Sequence, residues 1–134
     1  MKGTILTIVS VIVMLLCGNA GHLWAAESRT PDIDIWTAAA RGNVDAIKQH
    51  IATGTDLNAK EPNGATPLIV AAVFGQTEAV RLLVENGAEL EVRNNQGATA
   101  LLAASFLCRL ETVKFLLESG AEVNAPDSIG QTPL

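Results

Sequence analysis

The chain has 134 residues with 9 Lys plus Arg against 14 Asp plus Glu, giving a formal charge of −5. Acidic and without a basic cluster, it is a poor candidate for binding nucleic acid or an anionic membrane surface. Beyond the N-terminal 26 residues the chain has one His, His50, and one Cys, Cys108, which offer no credible metal site. No phosphate-binding loop, nucleophile elbow or zinc-protease motif occurs, so no enzyme activity and no cofactor are expected.

In chain order, residues 1–26 are read as a cleavable secretory signal peptide. Lys2 precedes an apolar run at residues 5–16, and small residues follow, which is the charge, core and cleavage-site order of an export signal. The run is short of the roughly 20 residues that a spanning helix needs. Gly18 and Ala20 frame one cleavage site and Leu23 and Ala25 a looser one, so the mature chain is expected to start near Gly21 or Ala26. Cys17 stands where a lipidated cysteine would, but Leu16 before it is larger than that motif takes. Export to a periplasm or to the exterior follows, with no membrane contact after cleavage. An uncleaved anchor that tethers the rest to a membrane is the alternative.

Beyond the signal, one pattern returns. "GATPL" at Gly64, "GATAL" at Gly97 and "GQTPL" at Gly130 are spaced by 33 residues. At the same offset "DAIKQHIATGTDLNA" from Asp45 aligns with "EAVRLLVENGAELEV" from Glu78 and "ETVKFLLESGAEVNA" from Glu111. Within one unit Thr66 and Pro67 form a helix start, the Thr oxygen capping free N–H groups and the Pro needing none. Gly75 interrupts that helix after two turns, and a second apolar-periodic segment, residues 77–86, ends at Gly87. A helix pair of this size cannot bury its own apolar face, so the units are expected to stack. Asp45, Glu78 and Glu111 recur near the start of each second helix, where they favour the helix dipole.

The period, the TPL-type start, the paired Ala residues and the GA-x-x-N-A loop resemble the ankyrin repeat family. Gly64, Thr66, Pro67, Leu68, Ala71, Ala72, Gly75, Leu82, Leu83, Gly87 and Ala88 all fit its pattern. The resemblance implies an all-α solenoid of stacked helix pairs joined by β-turn or hairpin loops. It covers roughly residue 32 to the end, within a domain at 27–134, with repeats at about 32–60, 61–93 and 94–126 and the start of a fourth at 127–134. The chain then ends where a fourth pair would begin, so Leu116 and Leu117 are expected to be partly uncovered and self-association is possible. A fragment, a shortened product or a partner-supplied end are the readings of that stop.

Three departures stand out. The His that follows TPL in the family, where it ties neighbouring loops, is replaced by Trp36, Ile69 and Leu102, which puts that polar tie in doubt. Pro67 is matched by Ala100, where Thr99 can still cap. Gly75 is matched by Cys108, which at a left-handed corner costs about 1 kcal/mol or more. His50, where sister repeats have Leu83 and Leu116, is read as a partly buried outer-helix residue with a local hydrogen bond. Cys108 is read as a packed thiol, with an intermolecular disulfide as the alternative.

The family's partners usually meet the concave side, made of first helices and loop tips. Carried over, this gives Ala40 and Arg41, Val73 and Phe74, and Phe106 and Leu107 on the helices. The loop tips are Lys60, Pro62, Asn63 and Ala65, then Arg93, Asn95, Gln96 and Ala98. The resemblance therefore implies a non-enzymatic module that binds another protein, of unknown identity, through that surface. The competing readings are that the apolar members pack between repeats, or that the chain is the targeting part of a longer enzyme or effector.

Overall fold

The computed structural model describes residues 33–123 and Gly130. The signal segment, and all of 127–134 except Gly130, lie outside the described residues. Those described form three helix pairs: α1 (Ile35–Arg41) with α2 (Val44–Ala52), α3 (Pro67–Val73) with α4 (Thr77–Glu85), and α5 (Ala100–Phe106) with α6 (Leu110–Glu118). No strand occurs among them. Helices of two turns are unstable alone, and packing makes up the deficit. Helices α1, α3 and α5 form one row, and α2, α4 and α6 form a second row packed against it. The fold is all-α, as the repeat pattern implies.

The helix starts explain the register. Thr66 accepts a hydrogen bond from the Ile69 N–H, and Thr99 accepts one from Leu102, each at 3.3 Å. In the first repeat Asp34 takes this role, accepting from the Thr37 N–H at 2.8 Å and from its hydroxyl at 2.7 Å. Asp34 is the periodic partner of Pro67, not of Thr66. Helix α1 therefore starts one residue later in the period than α3 and α5.

The second helices trade a cap for a tie. Asn43 caps α2 by accepting from the Ala46 N–H at 3.1 Å. Its periodic partners Gln76 and Arg109 make no capping bond. Instead Gln76 donates to the Ala40 carbonyl at 3.1 Å, and Arg109 donates through Nε to the Val73 carbonyl at 3.1 Å. Each reaches back one repeat to a carbonyl near the end of a first helix. Glu78 and Glu111, in the first turns of α4 and α6, favour the uncapped N-terminal ends electrostatically.

These hooks also explain the corners. Gly42 and Gly75 adopt left-handed φ values of 66° and 67°. A Cβ there would lie 2.5 Å from Gln76 Oε1 or 2.8 Å from Arg109 Cδ. Cys108 keeps the same corner at φ 55°. The corner is thus retained with its strain, and the side chain is exposed.

The core is made of small residues between rows and branched residues across them. Ala38, Ala39, Ala71, Ala72 and Ala104 are fully buried, which lets the first helices approach closely, while Ile47, Val80 and Leu83 fill the outer row. Leu116 corrects one sequence expectation: it is fully buried rather than partly uncovered. It lies on α6, which packs on both α5 and α4. Leu117 is half-buried. The exposed apolar residues of the third pair are Phe106, Leu107 and Leu110.

Candidate functional site

The loop tips are built as narrow turns. Glu61 N–H donates to the Ala65 carbonyl at 3.0 Å, and one period later Asn94 N–H donates to the Ala98 carbonyl at 3.0 Å. The side-chain oxygen of Asn63 accepts from the Ala65 N–H, and that of Asn94 accepts from the N–H groups of Gln96 and Ala98. Neighbouring tips are bound together. Asn95 donates through its backbone to the Asn63 carbonyl and through its amide to the Pro62 carbonyl, at 3.2 and 3.1 Å. Lys60 Nζ donates to the Arg93 carbonyl at 2.9 Å. Gly64, at φ 81°, leaves room for this contact, since a Cβ would lie 2.3 Å from Asn95 Oδ1.

Between these tips and the first-helix row runs an open groove of about 720 Å³. Its helical side carries Asp34, Trp36, Thr37 and Ala40, then Ile69, Val70, Val73 and Phe74. The loop side carries residues 60–63, Ala65, Asn94 and Gln96. Trp36 fixes one wall to the other, because its indole N–H donates to the Ala65 carbonyl at 3.1 Å. The polar tie between repeats, in doubt from the sequence, is therefore present at the first interface. It runs from an indole instead of an imidazole.

Two carboxylates lie along this groove. The hydrogen bonds from the Thr37 backbone and hydroxyl hold the Asp34 carboxyl below its ordinary value. Glu61 is held at the turn by its backbone. The lining cation, Lys60, has its ammonium on the Arg93 carbonyl.

The residues proposed from sequence divide by position. Asn63, Val73, Phe74 and Gln96 line the groove, as do Ala40, Lys60, Pro62 and Ala65. Arg93 and Asn95 support it from the adjoining tip, Arg93 also donating to the Gly97 carbonyl at 3.0 Å. Arg41 borders a smaller recess with Ile33, Asn43, Asp45, Ala46 and Gln49. Phe106 and Leu107 stand in the third repeat, 74% and 43% exposed, and Phe74 is 53% exposed. These three do not pack away between repeats, whereas Val73 is half-buried. Sequence reasoning missed Asp34, Trp36, Thr37 and Glu61. The period was the available signal, since Trp36 and Ile69 share a register position and both line the groove.

His50 and Cys108 take no part. His50 is buried, with Nε2 at 2.8 Å from the Ile33 carbonyl and Nδ1 at 3.1 Å from the Thr55 hydroxyl. A carbonyl only accepts, so Nε2 carries the proton and the ring clamps the segment before α1 onto α2. Among the described residues no group of three or more His, Cys, Asp or Glu is placed to hold a metal ion. None of their helices is long and apolar enough to cross a membrane.

A search of curated proteins gave no match. A family model described as ankyrin repeats, in three copies, matches residues 35–127. That span contains all three helix pairs, both loop tips and the hooks between repeats. Ankyrin repeats generally act as protein–protein interaction modules, and the chain belongs to the ankyrin repeat family.

Proposed function

We propose that this chain is a non-enzymatic interaction module of an exported protein and that it binds another protein through the face formed by the first helices and the loop tips. The observation that carries the reading is the open groove, with Val70, Val73 and Phe74 beside loop tips held by cross-repeat hydrogen bonds. Phe106 and Leu107 extend exposed apolar surface into the third repeat. Large exposed apolar side chains beside a rigid polar rim are the composition of a protein-binding surface. Export rests on the charge, core and small-residue order of residues 1–26.

The test is affinity capture from an exported fraction with the tagged chain, beside a Phe74→Asp/Phe106→Asp variant whose helix content is checked by circular dichroism. A protein retained by the first and lost from an equally folded second supports the reading. Equal retention by both sinks it. The mass of the mature N-terminus tests export: a start near Gly21 or Ala26 is expected, and an intact Met1 in exported material would refute cleavage.

A further inference from the structure

We propose that the groove takes a short segment of a partner that sets an aliphatic or aromatic side chain against Val70, Val73 and Phe74 and a lysine or arginine against Asp34 and Glu61. This rests on the groove being a protein-binding surface, and it adds the chemistry of the occupant.

Size is the first argument. A groove of about 720 Å³ lies in the range that encloses a drug-sized molecule. That space admits a few side chains of a linear segment.

Charge is the second. Asp34 and Glu61 both line the groove, and neither forms an ion pair with the described residues. The Asp34 carboxylate is fixed in direction by Thr37, which supplies one hydrogen bond to each oxygen. Each carboxylate oxygen can accept a second bond, so the capped group still has room for a guanidinium or ammonium. Glu61 stands on a turn closed by its own backbone, and its carboxylate has no hydrogen-bond partner among the described residues. Lys60, the cation of the lining, is held at the loop tips by the Arg93 carbonyl. The surroundings reinforce the sign, since residues 33–123 contain seven Lys plus Arg and eleven Asp plus Glu. An acidic segment would meet two uncompensated carboxylates, whereas a basic one completes them.

The apolar part supplies the third argument. Phe74 is 53% exposed although it borders a walled groove, so an inserted side chain would cover surface that the repeats leave open. The carboxylates select and orient, and the Val70, Val73 and Phe74 surface anchors.

The experiment is selection of a random dodecapeptide phage library on the chain purified from an exporting host, followed by anisotropy titration of the labelled consensus peptide. Expected are peptides that combine an aromatic or aliphatic residue with Lys or Arg. Their affinity should fall at least about fivefold in Asp34→Asn/Glu61→Gln and decline as salt rises. Asn caps a helix as well as Asp does, so folding should survive, and circular dichroism checks it. Acidic or uncharged peptides that ignore Asp34→Asn/Glu61→Gln but are lost in Phe74→Asp would overturn this inference and leave the groove as a binding surface. Failure to enrich any peptide, or enrichment indifferent to Phe74→Asp, would overturn both. A concentration-dependent dimer that excludes the peptide would assign the groove to a second copy and also end the proposal.

Discussion

The indole N–H of Trp36 donates to the carbonyl of Ala65, 29 residues further along the chain and one repeat away, at 3.1 Å. The same carbonyl accepts the Glu61 N–H at 3.0 Å, so this oxygen closes a loop tip and joins that tip to helix α1. Trp36→Phe keeps most of the ring and removes the inter-repeat bond. The expected loss is about 1 kcal/mol, since the carbonyl keeps one partner. In thermal melts this corresponds to a fall of about 4–8 °C for a domain of this size, with helix content unchanged before the transition.

The corner positions should respond in opposite directions. Gly75→Ala places a Cβ 2.8 Å from Arg109 Cδ at φ 67°, adding left-handed strain and disturbing the Arg109 hook. A destabilisation of about 1–2 kcal/mol is expected. Cys108→Gly relieves the strain at φ 55° and loses about 0.5–1 kcal/mol to the greater freedom of glycine in the unfolded chain. The net change is expected to be a small stabilisation. Urea titrations of the two variants check the contrast, and a stabilised Gly75→Ala would contradict it.

Asp34 makes stability depend on pH. Its folded-state carboxyl lies below the ordinary value of 3.8 because Thr37 donates to it. The stabilisation is therefore fully present above that ordinary value and is lost as pH falls through the lower folded-state value. Asp34→Asn, which caps without titrating, should lose less stability than the parent chain as pH is lowered below 3.8. Chemical denaturation at a series of acidic pH values measures the difference, and parallel curves would exclude the contribution.

Core and surface apolar residues should separate cleanly. Leu83→Ala empties a fully buried site and is expected to cost about 2–5 kcal/mol. Phe106→Ala removes a side chain that is 74% exposed and should change stability by no more than about 0.5 kcal/mol. Any loss of partner capture in Phe106→Ala would then be a surface effect, which a folded, unperturbed melting curve would establish.

Much of the fold was legible because its signals are local and periodic. Thr66 and Thr99 sit beside the N–H groups they cap, and the repeated glycines Gly64, Gly97 and Gly130 share φ values of 81°, 80° and 83°. Other features depend on which surfaces meet. Gln76 and Arg109 differ in type, and each acts on a carbonyl 36 residues away. The sequence beside either residue does not identify that acceptor. Asp34 was hidden by the alignment itself, because the period pairs it with a proline. The candidate site was read from helix positions and loop tips, which located Val73, Phe74 and Asn63. Its acidic members were missed, since Glu61 adjoins the expected tip and Asp34 precedes the first helix.

The groove has no single owner. Asp34 to Ala40 come from one repeat, Ile69 to Phe74 from the next, and Asn94 and Gln96 from the turn that opens the third. Binding is therefore thermodynamically linked to neighbour docking: a ligand that bridges these pieces resists fraying of the stack, and fraying removes the receptor before any contact residue changes. Gln76, which lies outside the groove lining, becomes a remote tuning point, because its hook on Ala40 is one of the bonds, with that of Trp36 on Ala65, that hold the first two repeats together.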